Sequence, residues 1–176
     1  MKKLHDNHSY QMKESEVVNL VKKAKERQGF FMIRDRSGKD KRRKGLDLAM
    51  EKPIKRFKKR TYFLCQAKGG QKPETKSDNR ANYFHMLIGE IFKDIVEPHF
   101  IIESSSIKTN VEYAIAMPYN DYKNIVVTQL SQFVFEKIFL KNNISIILVK
   151  RDGTIFYIKK EDLIKKTMDS HFNGQK

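Results

Sequence analysis

The sequence predicts one α/β domain in which helices flank a central mixed β-sheet. Segments with helical spacing of apolar residues alternate with short apolar segments, and glycines and prolines separate them. Hydrophobic residues make up 39% of the 176 residues, which is enough for one sizeable core. We expect an N-terminal tail over residues 1–12, the α/β domain over 13–160 and a C-terminal helix or tail over 161–176.

The first half of the chain predicts two helices and three strands. Val17, Leu20 and Val21 recur at helical spacing, and Gly29 follows them as a helix stop. A basic turn is expected around Pro53. The predicted elements are a helix over 13–28, strands over 30–33, 45–50 and 61–68, and a helix over 80–96.

The second half predicts a further strand, a long helix and a hairpin. Pro118 is expected to end the strand, and Asp152-Gly153 is typical of a tight hairpin turn. The resulting order is α-β-β-β-α-β-α-β-β. The predicted elements are a strand over 111–117, a helix over 121–141, strands over 145–150 and 154–158, and a short helix from Lys160.

The chain is strongly basic, with 36 Lys and Arg against 21 Asp and Glu and a formal net charge of +15. Thirteen basic and four acidic residues lie between Arg34 and Arg60, so this segment carries +9 and the rest of the chain +6. This concentration of positive charge favours a polyanionic partner, most commonly nucleic acid. The alternative is a pair of basic loops that contact only solvent.

The residues expected to contact phosphates are those of this basic segment and those at the N-terminus of one predicted helix. Asn79 and Arg80 begin the predicted second helix, and helix N-termini attract anions. The candidate nucleic-acid-binding residues are Arg34, Arg36, Ser37, Lys41, Arg42, Arg43, Lys44, Arg56, Lys58, Lys59, Arg60, Asn79 and Arg80.

The sequence also limits the cellular setting. Cys65 is the single cysteine, which excludes an internal disulfide and a cysteine-based zinc cluster and fits a reducing, cytoplasmic setting. No apolar run approaches the roughly 20 residues that a membrane span needs. The first residues lack the apolar segment of a secretory signal, so we expect neither a membrane anchor nor export.

One set of polar residues on neighbouring strands predicts a site for metal binding and phosphate chemistry. Asp47 lies on a short strand, and the alternation of side chains puts Gln66 and Lys68 on one face of the next. Acid and amide oxygens suit Mg²⁺, and a neighbouring lysine can steady charge on phosphorus or orient water.

The pattern Asp47, then Gln66-Ala67-Lys68 at the end of a strand, resembles the PD-(D/E)xK nuclease superfamily, in the QxK form of Mrr-type restriction endonucleases. Gly29-Phe30 and the residues that follow are also similar to archaeal-type Holliday junction resolvases. The resemblance covers about residues 13–96. Leu46 stands where the superfamily has a proline, and Gln66 replaces an acid, which is expected to weaken metal affinity.

The resemblance implies a restriction-endonuclease-like fold and a Mg²⁺-dependent (or Mn²⁺-dependent) DNA endonuclease of restriction or repair type. It implies that Asp47, Gln66 and the Ala67 carbonyl hold the metal and that Lys68 positions the attacking water. It also implies a glutamate from the leading helix, either Glu14 or Glu16. Glu14 falls on the edge of the apolar stripe and is favoured.

Two functions remain open from the sequence. One is this endonuclease, with DNA as partner; cleavage of both strands by so small a domain favours a homodimer. The other is a non-catalytic basic nucleic-acid-binding protein on a degenerate nuclease fold. The joint presence of Asp47, Gln66 and Lys68 on one sheet face separates them, because a binding module has no need of an acid among so many cations.

Overall fold

The fold is that of a single α/β domain, as predicted, with a six-stranded mixed sheet between helices in a computed structural model of the chain. The strands lie in the order in which they occur along the chain, from β1 to β6. The structure describes residues 11–33, 46–54, 59–70, 77–96 and 110–163.

Nine main elements lie in the described part of the domain, in the order expected from the sequence. The helices are α1 (Glu14–Arg27), α2 (Ser77–Val96) and α3 (Tyr119–Gln129). The strands are β1 (Phe31–Met32), β2 (Leu48–Ile54), β3 (Lys59–Ala67), β4 (Asn110–Pro118), β5 (Ile144–Val149) and β6 (Ile155–Tyr157). A short helix α4 (Gln132–Val134) continues as a π-helix (Phe135–Leu140), and a 3-10 helix spans Lys160–Asp162.

The direction of the strands determines which loops meet. Strands β3, β4 and β5 are parallel, with Ala67 opposite Ala116 and Pro118 opposite Val149. The flanking strands β2 and β6 are antiparallel to β3 and β5, and β1 is antiparallel to β2. The carboxyl ends of β3, β4 and β5 therefore share one edge with the starts of β2 and β6. We call it the carboxyl edge.

Each face of the sheet has its own apolar cluster. On one face, Val17 and Val21 of α1 pack against strand residues such as Phe63 and Ala116. On the other face, α2, α3 and the π-helix pack against residues such as Ile115 and Ile146. Successive residues of β4 alternate between the clusters, as period-two side chains require. The connections before and after β4 therefore cover one face, and α1 covers the other.

Two predictions about secondary structure were wrong. The helix predicted over 121–141 is interrupted at Leu130 and Ser131, whose backbone is extended, and the Ser131 hydroxyl accepts a hydrogen bond from the Val134 N–H at 3.2 Å to cap the next turn. The turn predicted around Pro53 is absent, because Pro53 lies within β2. There β2 extends beyond its pairing with β1, on an edge where proline is tolerated.

The ends of the described chain pack against the domain. Met12, which we assigned to the N-terminal tail, is buried with the α1 cluster. At the other end, the Gln132 side chain donates to the carbonyls of Lys160 and Leu163, and Leu163 is buried. Of the expected C-terminal helix or tail over 161–176, the structure describes only a 3-10 turn (Lys160–Asp162) and Leu163, and residues 164–176 lie outside the described residues. Within the described segments, none of the helices has the length and hydropathy to cross a bilayer.

Candidate nuclease site

Asp47 is attached to the end of β3 by two hydrogen bonds. It stands immediately before β2, and its N–H donates to the Cys65 carbonyl at 3.1 Å. Its Oδ2 accepts a hydrogen bond of 2.7 Å from the Ala67 N–H. The carboxylate is therefore held at the carboxyl edge beside the Gln66-Ala67-Lys68 segment, while its oxygens retain lone pairs for another ligand.

The surroundings of Asp47 raise its pKa. Partial desolvation of the carboxylate is the main cause, and the hydrogen bond from Ala67 opposes it. The negative charges of Glu14 and Glu90 raise the pKa further, whereas Lys68 lowers it. Charged groups from α1, α2 and the end of β3 thus converge electrostatically on one aspartate.

Lys68 connects this edge to α1 and α2. Its N–H donates to the Ala116 carbonyl at 2.9 Å, so its backbone still follows the sheet. Its Nζ lies 3.6 Å from Oε2 of Glu14 and 5.8 Å from the centre of the Tyr83 ring. Tyr83 and Glu90 are seven residues apart on α2 and therefore face the same side. Neither residue is among those predicted from the sequence to form the site, although their spacing on the helix places them together.

The two candidate glutamates of α1 do different things. The Glu16 carboxylate accepts a hydrogen bond of 2.6 Å from the Lys13 N–H, so it caps the start of the helix. The Glu14 carboxylate lies against Lys68 instead. Of the two acids, Glu14 is the one placed at the site.

A pair of glycines after Lys68 lets the end of β3 approach α1 closely. The Gly70 N–H donates to the Met12 carbonyl at 2.7 Å, and the Gln11 side-chain amide donates to the Gly70 carbonyl. A Cβ on Gly69 would lie only 2.7 Å from the backbone nitrogen of Glu14. These contacts border an open groove of about 510 Å³, lined by Gln11, Met12, Lys13, Glu14, Lys68, Gly69 and Gly70.

The donor atoms at this edge are of the chemical type that magnesium ions bind. Asp47 and Glu14 supply carboxylates, and Gln66, which is only 4% exposed, supplies an amide beside the Ala67 carbonyl. These hard oxygens are what Mg²⁺ prefers. In the described parts of the chain, no three His, Cys, Asp or Glu side chains are grouped closely enough to hold a metal. A metal site at this edge would therefore need the amide and carbonyl oxygens as ligands in addition to the two carboxylates.

Few of the predicted phosphate contacts fall within the described residues. Arg60 pairs with Glu51 at 3.0 Å, a contact that raises the pKa of its guanidinium. It lies at the start of β3, about 23 Å from Ala67 at about 3.3 Å per residue, and so at the opposite edge. Asn79 is exposed in the first turn of α2. Arg80 follows it, and its buried Nε has no hydrogen-bond partner among the described residues.

The remaining predicted contacts are not located by the structure. Lys59 begins β3, but its side chain lies outside the described residues. The others that lie outside the described residues are Arg34, Arg36, Ser37, Lys41, Arg42, Arg43, Lys44, Arg56 and Lys58.

Two solved structures are similar to this chain over most of its length. One is an XisH family protein from Nostoc punctiforme, with 14% identity and a TM-score of 0.41, covering 82% of this chain and 99% of that one. The other is an fdxN element excision controlling factor protein from Anabaena variabilis, with 13% identity, a TM-score of 0.41 and the same coverage. No family profile matches the sequence, and no curated protein does.

Proposed function

We propose that this protein is a metal-dependent DNA endonuclease that hydrolyses phosphodiester bonds. One observation carries the proposal: Glu14, Asp47 and Lys68 meet at the carboxyl edge, next to Gln66 and the Ala67 carbonyl. Apart from the hydrogen bond that Asp47 accepts from Ala67, these two acids and the lysine have no evident role in holding the sheet together. They do match the needs of phosphodiester hydrolysis, which are an anion-stabilising cation and oxygen ligands for a metal.

Asp47, Glu14, Gln66 and the Ala67 carbonyl would hold the metal. When bound, a divalent ion lowers the pKa of a coordinated water and neutralises charge on the scissile phosphate. In the reaction, a water oxygen adds to phosphorus and one phosphorus–oxygen ester bond breaks. The Ala67 N–H fixes the Asp47 carboxylate, so that one ligand is oriented before substrate arrives.

Lys68 supplies positive charge at the reacting phosphate. Its ammonium pairs with Glu14 at 3.6 Å while the side chain remains 30% exposed, so it can reach a phosphate oxygen at the surface. Asp47 must be ionised to bind the metal, and its pKa is raised. Metal affinity, and cleavage with it, are therefore expected to fall as the pH is lowered toward that pKa.

The experiment is cleavage of supercoiled plasmid, and in parallel of a branched DNA, in Mg²⁺ or Mn²⁺. Wild type is compared with Asp47→Ala and Lys68→Ala, and the control is Glu26→Ala, which removes an exposed acid from the last turn of α1, at the opposite end of the helix from Glu14. We expect metal-dependent cutting by wild type and the control, and loss of about 100-fold or more in the two site variants. Equal cutting by all four proteins would refute the assignment of the site.

A non-catalytic nucleic-acid-binding protein is the second candidate. The observation that favours it is the absence, among the described residues, of a three-acid metal cluster, with Gln66 in the position where the PD-(D/E)xK pattern has an acid. A protein of this kind would bind DNA with strong salt dependence, and Asp47→Ala and Lys68→Ala would both retain that binding. Wild type would then cut neither plasmid nor branched DNA in either metal.

A further inference from the structure

Two lysines rest on aromatic rings at the far end of the carboxyl edge. Nζ of Lys150 lies 4.8 Å from the centre of the Tyr119 ring and 4.9 Å from that of Phe156. Nζ of Lys123 lies 5.1 Å from the Tyr119 ring. The two rings pack together with 4.7 Å between their centres. We call Tyr119, Lys123, Lys150 and Phe156 the Tyr119 cluster.

The strand register aligns this cluster with the candidate nuclease site. Lys68 follows β3, Tyr119 follows β4 and Lys150 follows β5, and these three strands are parallel and adjacent. The loop after β3 also approaches the first turn of α3, since a Cβ on Gly70 would lie 2.4 Å from Oδ2 of Asp121. Two strand spacings of about 4.8 Å separate β3 from β5, so the cluster lies about 10 Å further along the edge.

The cluster holds its cations without neutralising them. Two other lysines of the described chain pair with carboxylates instead: Lys25 with Glu112 at 3.0 Å and Lys160 with Glu136. An aromatic ring attracts an ammonium group through its quadrupole but carries no net charge. Lys123 and Lys150 are thus positioned in advance, and Asp152 and Asp162 are the acids that act on them electrostatically.

We propose that the Tyr119 cluster binds backbone phosphates of duplex DNA on one side of the bond placed at Asp47 and Lys68. The inference rests on the proposed function, because it takes the DNA to lie along the carboxyl edge. A distance of about 10 Å corresponds to about three nucleotides at about 3.4 Å per nucleotide of one strand. Lys123 and Lys150 thereby extend the basic surface expected from the sequence to the β4–β6 side of the sheet.

The test measures binding of a fluorescent duplex of about 30 base pairs without metal, over a range of salt concentrations. Wild type is compared with the double variant Lys123→Ala/Lys150→Ala. The matched control is Lys137→Ala/Lys141→Ala, which also removes two exposed lysines but from the π-helix and the turn that follows it, before β5 begins. A third variant, Lys123→Arg/Lys150→Arg, keeps the charge.

Each phosphate contact contributes about 0.9 to the slope of log K against log salt. We therefore expect the cluster variant to lower the slope by about 1.8. If the binding lines of the variant and the wild type meet at 1 M salt, the variant binds about 60-fold more weakly than wild type at 0.1 M salt. The control and the arginine variant are expected to keep the wild-type slope. Thermal unfolding of each variant shows whether a loss of binding reflects loss of the fold.

The outcomes separate this inference from the proposed function. If wild type cuts DNA and the cluster variant keeps the full salt slope, the inference is overturned and the nuclease remains. If wild type binds without cutting and the slope still falls only in the cluster variant, the surface is supported and the nuclease is refuted. A wild type that does not bind duplex DNA, or an equal fall in the control, overturns the inference.

Discussion

Replacement of Gly69 by alanine tests how the candidate site is held together. The added Cβ would lie 2.7 Å from the Glu14 nitrogen, 3.1 Å from the Met12 carbonyl oxygen and 3.3 Å from the Lys13 carbonyl carbon. All three are backbone atoms at the start of α1, so no side chain can rotate away. The helix start and the Lys68 loop must separate, and the pairing of Lys68 with Glu14 is then lost.

The magnitude follows from the cost of overpacking. Forcing an extra methyl group against fixed atoms costs about 1–3 kcal/mol. For a domain of this size each kcal/mol lowers Tm by about 2–4 °C, so Gly69→Ala is expected to lower Tm by about 2–12 °C. The variant should lose cleavage activity under conditions in which it is still folded, because the displaced groups are those of the candidate site.

Two further glycines serve as matched controls in thermal and urea unfolding. A Cβ on Gly89 has no atom within 4 Å, and Gly89 is exposed in α2, so Gly89→Ala should stabilise the protein by about 0.5–1 kcal/mol. A Cβ on Gly70 meets mainly the mobile end of the Asp121 side chain, so Gly70→Ala should cost less than Gly69→Ala. Equal stability of Gly69→Ala and wild type would refute the close approach of β3 and α1.

Three further predictions concern charged groups. Asp47→Asn should raise Tm at pH 7 without metal, because a folded-state pKa above the unfolded one means that ionisation of this carboxylate at pH 7 destabilises the folded protein; a lower Tm would contradict this. Carbon-13 NMR titration should show Asp47 titrating above 3.8 and Asp152 below it, since Thr154 hydrogen-bonds the Asp152 carboxylate; the reverse order would refute these environments. Lys25→Met should cost about 1–3 kcal/mol in urea unfolding and Lys25→Ala about 2 kcal/mol more, because methionine keeps the buried stem beside Phe63 and both lose the pairing with Glu112; equal costs would show that the stem does not pack.

The positions of Asp47 and the β3 segment are predictable because they depend on local patterns. Alternating apolar residues set β2 and β3, and the register that opposes Leu48 and Cys65 then brings Asp47 to the end of β3. The choice between Glu14 and Glu16 depends on contacts outside the helix, which the positions of residues around a helix do not show. A glutamate at the third position of a helix is a capping signal, and Glu16 has that role.

The errors have local causes as well. Apolar residues continue at helical spacing through Leu130, so the sequence predicts one uninterrupted helix. Ser131 is therefore not recognised from the sequence as the cap of a new helix. A proline in the sequence favours the prediction of a turn at Pro53. In the structure β1 pairs with β2 only as far as Glu51, so Pro53 lies on an unpaired edge of β2, where a residue without an N–H is tolerated. The Tyr119 cluster was missed because its two halves, Tyr119 with Lys123 and Lys150 with Phe156, are distant from each other in sequence, and the parallel register of β4 and β5 brings them together.

The site forms where the sheet changes from antiparallel to parallel pairing. Because β2 runs opposite to β3, the start of β2 and the end of β3 lie at the same edge, which brings Asp47 to Lys68. Because β4 and β5 run with β3, their own ends extend that edge to the Tyr119 cluster. A slip of one residue between β2 and β3 would turn Leu48 away from its cluster and break the hydrogen bond from Ala67. The apolar core therefore fixes the geometry of the polar site, so core variants that shift this register should impair cleavage before they unfold the protein.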